Sequence, residues 1–418
     1  MPRTADRAYP TDLYLCTQYV NIVGERSTMR VGAYGAMYPP FDRCIESAVQ
    51  AEAAGMDWVI YGDQMCFSHP ICLWTPDITT AAEYIPSFDA FYEPGTLITA
   101  AAAKTSKIKF FYGPVDVVRR APNVLAQTLL TLDHATQGRI TMVLANGENK
   151  QMKPYGIARK GANDKLWDAS HIMRSFLDTN EEVDYDGRVW KMRRAKFDLG
   201  PYGAEPPPFW VAGGSPDNLY LAGAVADGWI TAAPGHTEDD PQSFIDKVKI
   251  VRDHAERAGR DPDSHAIALL VFLVVDDDEA TCDKLRDHPF IRWNTLAYTP
   301  TTATFKKWGL QHPWGYDWIF SRDAMCPWYD RDYVLDSCNK VPKEAVDKVN
   351  FVGTPEQVMK RLSPYLDSGF VTDVMICNFN ALCGIEYAES SGRAINRLVG
   401  MIKGVEVDAD APGFASLV

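Results

Sequence analysis

The chain has 418 residues, 46% of them hydrophobic, enough to bury two ordinary cores or one large α/β barrel. Its formal net charge of −13 leaves no surplus of cations to displace counterions from phosphate, and no basic stripe carries interleaved aromatics, so nucleic acid is excluded as a partner. The most apolar windows are strand-length or broken by charge, which excludes a membrane span. Residues 1–28 mix charges, prolines and tyrosines without an apolar run, which argues against a secretory signal and makes the cytoplasm the expected compartment. The nine cysteines form no CxxC pair, and their odd number fits reduced thiols. Without HExxH or Cys/His spacing, no metal is expected.

From about residue 30 the sequence alternates short buried strands with amphipathic helices. Arg30–Ala36 reads as a first strand, followed by a helix over Pro40–Gly55 with proline in its first turn and glycine at its end. Trp58–Tyr61 is the second strand and Pro94–Lys104 a helix; Ile108–Val115 is the third, followed by a helix over Pro122–Thr136. Ile140–Ala145 lacks apolar/polar alternation, as expected for a strand covered on both faces, and Asp164–Thr179 follows as a helix. Phe209–Ala212, Gly228–Ala232, Ile267–Val275 and Asp373–Asn378 supply four more strands. Ser215–Ala226, Pro241–Gly259, Pro355–Ser368 and Tyr387–Met401 supply the remaining helices. This alternation predicts a parallel sheet closed into a (β/α)8 TIM barrel, a single domain over 29–405 with an arm over 1–28 and a tail over 406–418.

Three segments interrupt the repeat. Residues 64–92 follow the second strand, Val183–Leu199 has a hairpin pattern around Asp186-Gly187, and residues 281–342 follow the seventh strand. The first and third should sit over the barrel mouth. Their many aromatics, including Trp293, Trp308, Trp314, Trp318 and Trp328, suit either a cover for an apolar ligand or an interface between copies of the chain. The expected partners are a small-molecule substrate and further copies of the chain, in a homodimer or higher homo-oligomer.

Residues just past a parallel strand's carboxyl end face the ligand crevice, which makes Asn146-Gly147-Glu148 a candidate for chemistry; a solvated surface glutamate is the alternative. Ala212-Gly213-Gly214-Ser215-Pro216 joins a strand to a helix start, where backbone amides can cradle one phosphate, although a tight turn gives the same pattern. Gly113-Pro114-Val115-Asp116 ends the third strand, and a proline there implies a bulge or a strand end.

Together these residues resemble luciferase-like flavin and deazaflavin oxidoreductases. The resemblance rests on Asp63 after Trp58–Gly62, the Gly113-Pro114 bulge, Arg120–Gln127, Asn146-Gly147-Glu148 and Ala212-Gly213-Gly214, in that order. It is most similar to the branch that uses coenzyme F420. That branch includes methylenetetrahydromethanopterin reductase, F420-dependent glucose-6-phosphate dehydrogenase and the phthiodiolone ketoreductases. Tyr92-Glu93-Pro94, Lys153–Gly156, Gly309–Gly315, Lys340-Val341-Pro342 and Phe351–Pro355 extend the likeness to the ketoreductases, over roughly residues 30–400.

The resemblance implies a cis bond entering Pro114 behind the deazaflavin ring, with Gly113 and Val115 beside it. It implies that Gly213, Gly214 and Ser215 bind the phosphate, that Asn146 and Gly147 pass along the cofactor, and that Asp63 contacts the ring or substrate. It assigns Glu148 to proton transfer. Arg119, Arg120 and Asp116 would meet the cofactor's polyanionic tail or form a plain ion pair.

One position departs from the family pattern, which has Asp-His where this chain has Asp63-Gln64. Glutamine hydrogen-bonds but exchanges no proton near neutral pH. Glu148 is then the first candidate for acid or base and His69 the second, with a solvated loop histidine as the alternative for His69. The implied activity is F420-dependent hydride transfer between the deazaflavin and a carbonyl or alcohol carbon of an apolar substrate. An FMN-dependent monooxygenase on the same barrel and a non-catalytic flavin-storage barrel are the alternatives.

Overall fold

The computed structural model describes residues 29–299 and 301–406. The first half runs β1 (Arg30–Tyr34), α1 (Phe41–Ala53), β2 (Trp58–Tyr61), α2 (Pro94–Ala102), β3 (Lys109–Asp116), α3 (Pro122–Thr136), β4 (Ile140–Ala145) and α4 (Ala162–Asp178). A hairpin of β5 (Val183–Asp186) and β6 (Lys191–Ala195) precedes β7 (Phe209–Ala212), α5 (Pro216–Ala224), β8 (Gly228–Ala233), α6 (Pro241–Arg257) and β9 (Ala266–Val275). Six helices then build the long insertion: α7 (Glu279–Leu285), α8 (Pro289–Ala297), α9 (Ala303–Lys307), α10 (Phe320–Asp323), α11 (Arg331–Asn339) and α12 (Lys343–Val349). The chain ends with β10 (Phe351–Gly353), α13 (Pro355–Leu366), β11 (Asp373–Asn378), α14 (Asn380–Cys383) and α15 (Ala388–Lys403).

Parallel strands close a ring in the order β1-β2-β3-β4-β7-β8-β9-β11, with β11 returning to β1 through pairs such as Val31 and Val374. The (β/α)8 barrel expected from the sequence therefore forms, on the expected eight strands. Helices α2, α3, α5, α6 and α13 each start on a proline, which fits the first turn because its missing N–H would have no partner there. Two features are new. The insertion is helical throughout much of its length, and β10 pairs with the end of β9, Phe351 opposite Leu273, outside the ring. A three-residue strand is too short to leave a periodic signal. The expected arm over 1–28 and residues 407–418 of the expected tail lie outside the described residues. Among the described residues, no helix is long and apolar enough to cross a membrane.

The lumen is packed, not hollow. Trp58, Ile60, Phe111, Val143, Trp210, Ile230, Ala268 and Met375 form a buried cluster inside the strands, with Trp210 edge-on to both Trp58 and Phe111. Below it, Asp373 binds Arg30 at 2.7 Å and accepts from Trp58 Nε1 at 2.8 Å. Above it, Tyr34, Ala212 and Leu270 are only partly buried, so the filled lumen ends in an open floor at the carboxyl end of the strands. Met375 is fully buried in this cluster; Met375→Ala is expected to lower stability by about 2–5 kcal/mol in urea unfolding, since the closed ring cannot collapse onto the cavity.

Candidate active site

The β3–β4 pairing shifts register between Tyr112 and Val115, and the peptide bond entering Pro114 is cis. Pro114 is half-buried in a stretch of strand whose neighbours are buried, so its ring borders the mouth. Gly113 sits inside the bulge, and the side chain of Val115 packs into the main core, leaving its backbone to face the site.

Asp63, just past β2, is 5% exposed. Its carboxylate accepts from Arg119 Nη2 at 2.6 Å and from Arg120 Nη1 and Nη2 at 2.6 and 2.8 Å. Arg119 also pairs with Asp116 at 3.0 Å, so two carboxylates and two guanidiniums balance one another in a buried network. Burial pulls the Arg120 guanidinium down, but the charge of Asp63 outweighs it and the net shift is upward. Of the two roles expected for Arg119, Arg120 and Asp116, the structure contains the ion pair. Asp63 likewise spends its acceptors on protein donors.

Past β4, Asn146 donates to Asn163 Oδ1 at 2.7 Å beside a polar groove of about 440 Å³ lined by Asn149, Arg159 and Arg322 among others. Gly147 has φ of 71°, and a Cβ there would strike the Asp116 carboxylate and Met152, so only glycine lets the β4 loop lie against the end of β3. Glu148 follows, its side chain 27% exposed toward the mouth, with Oε2 2.8 Å from Lys150 Nζ.

Lys150 was not anticipated from the sequence. Its side chain is completely buried, and its ammonium also donates to Gln64 Oε1 and to the Cys66 carbonyl, both at 2.9 Å. Burial pulls this ammonium down, but the charge of Glu148, then the thiols of Cys66 and Cys326, push it up to a net rise. Gln64 Oε1 accepts from Gln151 Nε2 as well, and Gln151 Oε1 takes the Met65 amide at 2.8 Å. Gln64 is thus an acceptor in a closed array joining the loops after β2 and β4.

His69 does not lie beside this array as an exposed loop residue. It is fully buried, stacked between Phe67 and Phe290 at 5.1 and 5.2 Å, with Nε2 3.1 Å from the Phe290 carbonyl. Burial pushes it down to about 3, so it stays neutral and belongs to the packing. The segment carrying it, residues 64–92, docks on the long insertion: Trp293 Nε1 donates to the Ser68 carbonyl at 2.8 Å. Both insertions therefore wall one side of the mouth, where Tyr298 packs on Phe272 and Phe320 at 4.6 and 5.2 Å. Tyr34 and Tyr298 are phenols raised first by burial and further by the charge of Glu148.

After β7, the strand next to β4 in the ring, Ser215 caps α5 by accepting from the Asn218 amide at 3.2 Å, and Asn218 Nδ2 returns to the Ala212 carbonyl at 2.7 Å. Gly213 has φ of 107° and its Cβ position is filled by Asn218. Gly214 and Ser215 are exposed, and their amides donate to no described group. Lys247, also missed, lies alongside: its Cε is 3.9 Å from where a Cβ on Gly214 would stand, and its ammonium donates to the His236 carbonyl at 3.1 Å. Burial and Lys247 push the His236 imidazole down to about 4. Lys247 lies in mid-helix, where a cation reads as a solvated face.

Residues 22–372 match the family described as luciferase-like monooxygenase. The chain belongs to that family, and it is an enzyme. It is 29% identical over 326 residues, 77% of its length and 87% of the relative's, to a phthiodiolone/phenolphthiodiolone dimycocerosates ketoreductase of Mycobacterium kansasii. Its fold is similar to an F420-dependent secondary alcohol dehydrogenase in complex with an F420–acetone adduct, with TM-score 0.65, 19% identity and coverage of 90% of this chain and 99% of that one. It is also similar to a riboflavin lyase with modified FMN and riboflavin, with TM-score 0.61, 14% identity and coverage of 92% and 94%. Replacing Asp63 by Asn strips the charge from one buried partner and leaves two guanidiniums with the single carboxylate of Asp116; we expect a loss of about 3 kcal/mol in denaturant unfolding, and a loss under about 1 kcal/mol would mean that the network does not carry the loop.

Proposed function

We propose that this enzyme is an F420-dependent oxidoreductase that moves a hydride between the deazaflavin and a carbonyl or alcohol carbon of an apolar substrate. The observation that carries the reading is a partly exposed carboxylate, Glu148, in the loop after β4, beside the open anion loop that follows the neighbouring strand β7 at the edge of an apolar floor. The ketoreductase relative and the alcohol dehydrogenase of the same fold support the direction of the reading.

The residues present fit a flat cofactor with a phosphate. The free amides of Gly214 and Ser215, the start of α5 and the Lys247 ammonium suit an anion. Tyr34, Pro114, Ala212 and Leu270 offer a flat apolar bed. When bound, F420 would supply the hydride acceptor or donor. The protein's part is to hold the substrate carbon against that bed and to exchange the proton of its oxygen through Glu148. The two insertions exclude water from one side, and the rings of Tyr298 and Phe320 favour an apolar substrate.

A second reading, an FMN-dependent monooxygenase, is favoured by the family description and by the flavin in the riboflavin lyase of the same fold. Reduced FMN with oxygen uptake would support it; hydride exchange with F420 in the absence of oxygen supports the first.

Gly214→Asp tests the anion loop. Its φ lies outside the left-handed region and its Cβ meets nothing closer than Lys247, so the substitution adds charge without strain, unlike one at Gly213. F420 affinity should fall at least about tenfold, the equivalent of roughly 1.4 kcal/mol; unchanged affinity removes the loop from the site. Glu148→Gln should leave F420 affinity near that of the parent and slow turnover by about two to four orders of magnitude. Full activity in that variant would remove Glu148 from the chemistry.

A further inference from the structure

We propose that Lys150 is a positioning residue that holds Glu148 as a carboxylate in the resting enzyme, and so sets the site to receive a proton from a substrate hydroxyl. This rests on the hydride-transfer reading above, which it deepens by naming an alcohol as the substrate class served at neutral pH.

The Lys150 ammonium donates to Gln64 Oε1 and the Cys66 carbonyl, both at 2.9 Å, and is ion-paired with Glu148 Oε2 at 2.8 Å, with the side chain 0% exposed. A buried ammonium needs a countercharge, and Glu148 is the carboxylate in contact with it. The other two acceptors are neutral. Gln64 matters for this reason: its carbonyl oxygen accepts from Lys150 and from Gln151 together and adds no charge of its own. The array therefore holds one cation and one anion, and Glu148 cannot take up a proton at rest without stranding the ammonium.

The two carboxylate oxygens are not equivalent. Oε2 is bound to Lys150, whereas Oε1 accepts from no described group while the side chain is 27% exposed. A substrate hydroxyl at Oε1 would lose its proton to that oxygen as the carbon's hydrogen leaves with the C–H electron pair, as hydride, for the cofactor, leaving a C=O bond. The proton on Glu148 then leaves to solvent. Ketone reduction runs the same atoms in reverse and needs Glu148 protonated beforehand, which the ammonium opposes.

Other groups face the pair from neighbouring elements. Arg159 from the segment before α4 feels the charge of Glu148, and Asp89 from the first insertion feels that of Lys150. Cys66 and Cys326 are thiols raised by burial, His69 is neutral, and Tyr34 and Tyr298 are raised phenols. Among the described residues, none of these is hydrogen-bonded to or ion-paired with the Glu148 carboxylate in place of Lys150.

The test uses the full-length, cofactor-free protein, with Lys150→Met, Lys150→Arg and Glu148→Gln. Infrared difference spectra are taken through an acid titration, and the carboxylic-acid band that disappears in Glu148→Gln is assigned to Glu148. In Lys150→Met this band should appear at a pH higher by about one unit or more than in the parent, because an adjacent cation favours the ionised form by that much. Lys150→Arg should restore the parent's titration. A folded Lys150→Met with an unshifted band overturns the proposal. If Lys150→Met does not fold, Gln64→Glu replaces it: a second carboxylate on the same ammonium should raise the band's midpoint in the same direction, and an unchanged midpoint overturns the proposal. Secondary alcohol oxidation with F420 should then follow the same limb, rising with pH, while ketone reduction falls. A shifted band in a protein that binds F420 yet exchanges no hydride would leave the pair standing and remove the hydride-transfer reading instead.

Discussion

One buried ammonium governs the geometry of the mouth. Lys150 can remain charged without water only if three acceptors converge on it, and those acceptors come from two loops: Gln64 and the Cys66 carbonyl after β2, and Glu148 after β4. Satisfying it fixes where both loops lie. Once residues 64–66 are held there, the rest of the first insertion continues into the aromatic cluster around His69 and meets the long insertion at Ser68 and Trp293. The wall on one side of the mouth is thus an extension of the requirement for pairing one charge.

Charge at this end of the barrel is divided between two arrays with different exposure. Asp63, Asp116, Arg119 and Arg120 are mutually saturated and pin the β2 loop to the end of β3. Glu148 and Lys150 are paired on one side only, leaving a carboxylate oxygen toward the mouth. A saturated network stabilises; a half-open one can exchange a proton. The loop after the neighbouring strand β7 carries amides and Lys247 in place of carboxylates, so donors suited to an anion and the half-open carboxylate lie on adjacent strand ends of one apolar floor.

Much of this was legible in the sequence, for identifiable reasons. Strands buried on both faces read as uninterrupted apolar runs, and proline at helix starts marked the boundaries, so the eight strands of the ring were found. Gly113-Pro114 and Gly213 were visible because backbone geometry there demands those residue types. What stayed hidden depends on distant partners. Asp63 meets arginines more than fifty positions away, and nothing local distinguishes it from an acid that touches a ligand. Lys150 and Lys247 carry no local signal, because burial of a lysine is decided by segments distant in sequence. His69 before Pro70 read as an acid–base candidate or a solvated loop residue, whereas Phe67, Phe88 and Phe290 enclose it.

The most direct test of the account is equilibrium binding of F420 and FMN to the purified protein, followed under anaerobic conditions by the fluorescence of bound F420 as secondary alcohols are added. The account predicts that F420 binds in preference to FMN and that its fluorescence is lost as an alcohol is oxidised. Preferential binding of reduced FMN, with oxygen consumed and F420 ignored, would contradict it.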